Sequence, residues 1–368
     1  FDIEVIANET ACIGFANNAH TGICINFRDG TSNRYELQQE LILRRRIQQL
    51  FQNPEKKFIA QNGSFDCGWL WYKDRIHVPH VWFDTLLAHH TLYPRMPHNL
   101  GHLTAQYTDH PYYKDEGKTW REGGNINDFW DYNIKDCCIT WAVHDAIYKE
   151  LRTQGLDDFF FNHVMRLQPH LIKMQVGGIL ADETLKDKIT EELKHELGEK
   201  LREFHAKVIA LTGDEDFKPN PRSPKQLGEL FFNYLGLVGR GSSTNKENRI
   251  RMREHVRTTT EQKELLIHID DWLREHKFYS TYATQKVDPD HRLRCEYKQF
   301  GTQSAPGRLS SSKVMWGSGM NLQNQPHRAY PMFICDEGYM FSYFDLKQAE
   351  AKIVAHIWNV EGLLETFK

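Results

Sequence analysis

Phe1-Asp2-Ile3-Glu4-Val5 alternates apolar and acidic residues, the period of a strand with one face on a core. On such a strand Asp2 and Glu4 leave the same side, while Phe1, Ile3 and Val5 point the other way. Like charges side by side repel, so a strand that presents them together implies something positive between them. Further along, Asn62-Gly63-Ser64-Phe65-Asp66 sets a third carboxylate at a helix start behind a turn. Tyr132 and Asp136 in Tyr132-Asn133-Ile134-Lys135-Asp136 are four apart, hence on one helix face. Four carboxylates and a phenol can meet around a pair of divalent cations, and two such ions can activate a water and stabilise the departing oxygen of a phosphodiester. Each signal alone has a bland reading, a solvated strand edge or a surface hydrogen bond. Together and in order they are specific.

Around these segments residues 1–150 alternate strand and helix patterns. Residues 1–5, 11–16 and 22–27 are short apolar runs separated by Asn17-Asn18 and other turn signals, which predicts hairpins. Residues 35–51 have helical spacing, with Leu37, Leu41, Ile42, Ile47 and Leu50 as the expected buried side. A strand is expected at 58–61, and helices at 64–72 and 127–151. From Asp157 the texture changes to long charged helices at 159–174, 184–211 and 261–276. A Gly/Ser-rich polar stretch, 303–326, leads to an apolar strand expected at 340–344 and a closing helix at 348–358.

The chain has 368 residues, too long for one typical domain, and 26% charged residues with 40% hydrophobic ones exclude a disordered or fibrous chain. No apolar run is long enough to span a bilayer. The opening strand lacks an initiating Met, so residues upstream are expected. Seven Cys with no CxxC pair argue against a disulfide framework or zinc ribbon and for a reducing compartment. The net charge of −3 conceals an asymmetry: residues 218–328 hold 19 Lys+Arg against 11 Asp+Glu, and the remainder 27 against 38. A basic surface for a polyanion beside an acidic, ion-collecting domain fits this division.

The three acidic segments resemble the exonuclease motifs of the DEDDy class, the proofreading domain of family A DNA polymerases. Phe83-Asp84-Thr85-Leu86-Leu87 and His98-Asn99-Leu100-Gly101-His102-Leu103 are similar to stretches between those motifs. The resemblance implies that Asp2, Glu4, Asp66 and Asp136 are metal ligands for two Mg²⁺ or Mn²⁺ ions, that Tyr132 orients the attacking water, and that Asn62 and Phe65 support the site and a single-stranded 3′ end. It makes His89, His90, His98 and His102 part of a structural helical region rather than a zinc site. Val5 stands where the family usually has Thr.

In the second half, Gly307-Arg308-Leu309-Ser310-Ser311-Ser312 and Asn321-Leu322-Gln323-Asn324-Gln325-Pro326 resemble the stretch joining thumb to palm. Arg308 and the amides of Asn321, Gln323 and Asn324 suit phosphates and minor-groove acceptors of a DNA primer–template. A polar loop capping the next strand is the alternative. Tyr343-Phe344-Asp345-Leu346-Lys347-Gln348-Ala349-Glu350 is similar to polymerase motif A. The resemblance implies that Asp345 and the Leu346 carbonyl hold the ions of nucleotidyl transfer and that Glu350 crowds the sugar 2′ position; a helix N-cap is the plain reading of Asp345. Arg249, Arg251, Arg253 and Arg257 would meet phosphates across the thumb, with a solvated helix face as the equal alternative.

The expected architecture is α/β: a ribonuclease H-like exonuclease domain with a mixed sheet (1–155), a mostly helical linker and thumb (156–300), and a partial α+β palm (301–368). Residues 313–320 form a longer connection than the bacterial pattern, which favours a phage-like relative. The chain stops after motif A, so exonuclease activity is expected from it, and primer extension with dNTP only if the missing part is supplied, for instance by a second polypeptide. A dedicated 3′–5′ exonuclease with a DNA clamp and a non-catalytic DNA-binding scaffold are the rival readings. The expected setting is DNA replication or repair in the cytoplasm of a bacterial or phage-infected cell, or in an organelle.

Overall fold

The structure, a computed structural model, describes residues 1–30, 32–116, 125–301, 307–314, 316–317 and 319–367. Residues 1–333 form one compact unit and 334–368 a second.

Strands β1 (Asp2–Ile6), β2 (Glu9–Ala16) and β3 (Gly22–Asn26) make an antiparallel meander in which Asp2 lies opposite Gly14 and Glu4 opposite Cys12. The register shifts between Glu4 and Val5, a bulge that ends strict alternation just after the second acid. Helix α1 (Leu37–Phe51) follows. Its buried residues are Ile47 and Phe51, whereas Leu37, Leu41, Ile42 and Leu50 are exposed, contrary to the face expected from spacing. The inner side instead carries Arg44, which pairs with Glu40 and with Asp74 at 2.7 Å and lies over the Phe27 ring. An ion pair and a cation–π contact thus hold the helix by a charged residue that hydrophobic spacing does not mark.

Strand β4 (Ile59–Ala60) pairs in parallel with β5 (Phe83–Asp84) as a sheet separate from the meander, and the Phe1 nitrogen bridges the two by donating to the Ile59 carbonyl at 2.8 Å. Helices α2 (Gly63–Asp74), α3 (Thr85–Leu92), α4 (Leu100–Tyr107) and α5 (Ile126–Thr153) complete this part. Then α6 (Met165–Gly177) packs on α2. The core that includes Phe1, Ile3, Trp69 and Phe83 also takes in Phe160, Met165, Ile172, Val314 and Trp316.

Beyond it, β6 (Ile179–Ala181) leads into α7 (Glu183–Thr212); α8 (Lys246–Glu254) and α7 both pack on α9 (Thr260–Phe278) around a second core of Phe204, Leu230, Phe231, Leu265 and Ile269. Strand β7 (Arg292–Leu293) pairs with β6, and β8 (Glu296–Lys298) with β9 (Ser310–Ser312). In the second unit, α10 (Ala349–Ile357) forms as expected, followed by α11 (Glu361–Thr366). The strand expected at 340–344 is absent: no described residue forms a ladder beside it, and its apolar side chains, including Phe344, are exposed. Apolar composition alone does not make a strand without a neighbour for its N–H and C=O groups.

Candidate functional site

The acidic cage is assembled by contacts that tie β1 to two helices. Phe1 and Ile3 enter the core, so Asp2 and Glu4 face the other way. The Ile3 N–H donates to Asp66 Oδ1 at 3.0 Å, which fixes α2 to the strand midway between the two acids. From α5, Asn133 Nδ2 donates to Asp2 Oδ2 at 2.9 Å. Gly14 allows that approach, because a Cβ there would stand 2.3 Å from Asn133 Oδ1. One ligand oxygen from each of Asp2, Glu4 and Asp136 lies within 4.8 Å of the others, the one such group of His, Cys, Asp or Glu among the described residues. Asp66 stands outside that triplet, buried beside it.

Asp66 owes its position to a turn held by a fifth carboxylate. Asn62 adopts φ +62°, the left-handed region, before α2 begins. Its N–H and that of Gly63 donate to Asp84 at 3.1 and 2.8 Å. The same Asp84 caps α3 by accepting from Leu86 and Leu87 and takes a further bond from Gln168 Nε2 at 2.8 Å. One buried acid therefore fixes the starts of two helices. Phe65, next to Asp66, is half-buried.

The electrostatics favour a bound cation. Burial raises the Asp2 carboxyl well above its usual range, and the negative charges of Asp66, Glu4 and Asp136 push it the same way, with Lys114 opposing. Burial lifts Asp66 to about 7 against the bond from Ile3. Groups that resist ionisation together lose that penalty when a divalent ion joins them. Tyr132 and Tyr113 are raised as well, by burial first and then by Asp136, so both are phenols at neutral pH.

Lys114, which pattern reading did not single out, reaches into this cage. Its Nζ donates to Asp136 Oδ1 and Oδ2 at 2.7 and 2.6 Å and to the Tyr132 hydroxyl at 3.0 Å. Tyr113 donates to Asp136 Oδ1 at 2.5 Å. Asn133, Gly14, Asp84, Tyr113 and Lys114 are the working residues missed from sequence. Asn133, Asp84 and Tyr113 carry no periodicity, but the first two sit inside segments already quoted for their neighbours.

The histidines pack on one another, His89 Nδ1 to His98 Nδ1 at 2.8 Å and His90 Nδ1 to His98 Nε2 at 3.1 Å, and burial lowers both His89 and His98 to about 4. An apolar cleft of about 560 Å³ lined by Phe1, Phe15, Ile25, Phe58 and Trp141 contains none of the four acids.

The second-half residues are less converged. Asn321 caps a short 3₁₀ turn by accepting from Gln323 N–H at 3.0 Å and from Ser311 Oγ at 2.5 Å, the loop-capping role of the plainer reading. Gln323 Nε2 donates to the Leu309 carbonyl, the Asn324 carbonyl accepts from Tyr282, and Arg308 is exposed. Arg249 is buried against Asp270 at 2.6 Å and the Thr244 carbonyl, which removes it from the expected phosphate row; Arg251 and Arg257 are exposed. In the second unit Asp345, Leu346 and Glu350 are exposed; Asp345 neither ends a strand nor caps α10, whose N-cap is Gln348.

Residues 8–152 match the family model for 3′–5′ exonuclease, a match that begins after Asp2 and Glu4, and residues 187–368 match that for DNA polymerase family A. The chain is 26% identical over 353 residues to DNA polymerase I of Pseudomonas aeruginosa, covering 90% of this chain and 37% of that protein. It is 26% identical over 331 residues to DNA polymerase I of Borreliella burgdorferi, covering 86% and 34%. It thus spans about a third of the length of these relatives. Its fold is similar to the polymerase domain of Pol1 from M. smegmatis, solved in complex with DNA primer-template and dNTP, with a TM-score of 0.70, 20% identity, and coverage of 98% of this chain and 58% of that one.

Proposed function

Because the chain belongs to the family A DNA polymerases that carry a 3′–5′ exonuclease domain, we propose that residues 1–155 shorten single-stranded DNA from its 3′ end while residues 156–368 bind the primer–template and supply part of a polymerase site that extends it only when completed. The observation that carries the reading is the convergence of Asp2, Glu4 and Asp136, 134 positions apart at the extremes, within 4.8 Å of one another. Domains of both families are generally metal-dependent. Here Asp2, Glu4 and Asp136, joined by Asp66, would hold two Mg²⁺ or Mn²⁺ ions, which when bound supply an activated water and neutralise charge on the leaving oxygen.

The chain's own groups do the positioning. Asn133 restrains the Asp2 carboxylate, and the Ile3 N–H restrains Asp66, so these two acids are already held in place for cations. Tyr132 stays a phenol and offers its hydroxyl beside Asp136 to orient the attacking water. Asn62 and Phe65 flank Asp66, and the Phe65 ring gives the terminal base a surface to stack on.

For the remainder, residues 156–300 would act as linker and thumb and 301–368 as a partial palm. Arg308, Asn321, Gln323 and Asn324 would follow the duplex, Asp345 and the Leu346 carbonyl would hold ions for transfer from dNTP, and Glu350 would exclude a ribose 2′-hydroxyl. The DNA and dNTP bound by the M. smegmatis neighbour support these partners.

The test is digestion of a 5′-labelled single-stranded oligonucleotide in Mg²⁺. The wild type is expected to give a ladder shortening from the 3′ end, and the Asp2→Ala/Glu4→Ala variant to bind the oligonucleotide without cutting it. Digestion that persisted in that variant would place the nuclease elsewhere in the chain.

A further inference from the structure

The proposed chemistry leaves Lys114 without a task, yet its ammonium bonds directly to the cage. Its ammonium donates to both oxygens of Asp136 and to the Tyr132 hydroxyl. The charge also lies over the rings of Tyr113 and Tyr132, at 5.1 and 4.9 Å from their centroids. Its side chain is only 23% exposed, and that of Asp136 8%. This is a partly desolvated, charge-assisted contact rather than a surface pair.

We propose that Lys114 is an exchangeable countercation: it occupies Asp136 while the cage holds no divalent ion and surrenders those oxygens when one binds. The inference rests on the cage being a cation site. Asp136 already accepts from Lys114 on both oxygens and from Tyr113 on one. Any cation that uses Asp136 must therefore share or displace the ammonium. Two positive species competing for one carboxylate are coupled, and the coupling is reciprocal: the lysine weakens ion binding by the factor by which the ion weakens the lysine's hold. No bond is made or broken and no proton moves. The released ammonium keeps its link to the Tyr132 hydroxyl and its place over the two rings, so it stays at the mouth of the cage, where it would neutralise an incoming phosphodiester. Lys114 is in this sense a positioning residue that lowers the resting affinity for ions and biases loading toward the DNA-bound enzyme.

The experiment is a Mn²⁺ titration without DNA, followed by the electron paramagnetic resonance signal of free Mn²⁺, on the full chain and on Lys114→Met. Couplings of this kind are typically 5- to 150-fold, and Lys114→Met is expected to bind Mn²⁺ at least about 5-fold tighter. Unchanged or weaker affinity would overturn the proposal. A second measurement needs no variant: brief acetylation of the wild type with acetic anhydride, read by mass spectrometry at Lys114. Saturating Mn²⁺ is expected to raise Lys114 labelling relative to the exposed Lys188, and labelling that did not rise would overturn it. A wild type that bound no Mn²⁺ would instead refute the cation cage itself, so the two failures are distinct.

Discussion

Trp316 is the most informative residue to remove. It lies in the 313–320 connection, is 6% exposed, and packs on α2: its ring centroid is 6.4 Å from that of Phe65, 6.5 Å from Trp69 and 6.3 Å from Tyr72. Gly68 is the floor of this pocket, since a Cβ there would meet the indole at 2.5 Å. A tryptophan buries roughly 150–250 Å², which at about 25 cal/mol per Å² corresponds to about 4–6 kcal/mol. The indole nitrogen is buried and finds no acceptor among the described residues, a cost of about 1–3 kcal/mol that reduces the gain. Trp316→Ala should thus destabilise the 1–333 unit by about 3 kcal/mol, at the low end of aromatic truncations. Trp316→Phe discards the orphan N–H with part of the ring and should lose no more than about 1 kcal/mol. Urea denaturation followed by far-ultraviolet circular dichroism reads both as shifts in midpoint at constant slope. If Trp316→Ala cost less than about 1 kcal/mol, or Trp316→Phe cost as much as Trp316→Ala, the packing argument would fail.

Two other perturbations follow from buried charge and from titration. Arg294, 3% exposed, binds Asp288 at 2.6 Å, Asp290 at 2.5 Å and the Val176 carbonyl at 2.9 Å, so Arg294→Met should cost about 3–5 kcal/mol by removing the cation of a buried ion pair, and a midpoint shift smaller than that of a surface substitution would contradict this. His89 and His98 titrate near 4 in the folded chain against 6.5 when unfolded, so between those values the unfolded state binds more protons: their contribution is intact above pH 6.5 and declines as pH falls toward 4. The melting temperature should therefore drop between pH 7 and pH 5 more steeply in the wild type than in His98→Gln, and equal slopes would rule the explanation out.

What was legible in the sequence was what local periodicity writes. Alternation put Asp2 and Glu4 on one face of β1, and a four-residue spacing put Tyr132 and Asp136 on one face of α5. What remained hidden depends on residues that touch only after folding. Lys114 finds Asp136 across 22 positions, and Asn133 reaches Asp2 across 131. Arg249 looked like a phosphate contact because a charge on a helix carries no mark of the Asp270 that neutralises it. The face of α1 was misread because Arg44 takes an inner position that spacing assigns to aliphatic residues. Residues 340–344 have strand composition, yet hydrogen-bond partners are not encoded in composition.

The core beneath the acids does not respect the family boundaries. Phe160, Met165 and Ile172 belong to it, and Gln168 hydrogen-bonds the Asp84 that sets the start of α2, although none of the four lies within either matched segment. A minimal version of the acidic cage trimmed from this protein would need to include Phe1 onward to keep Asp2 and Glu4 and to run through α6 to keep its foundation. Even then it would expose the Gly68 hollow that Trp316 fills from far downstream. Swapping this module between polymerases would mean transplanting a folded-back loop along with it.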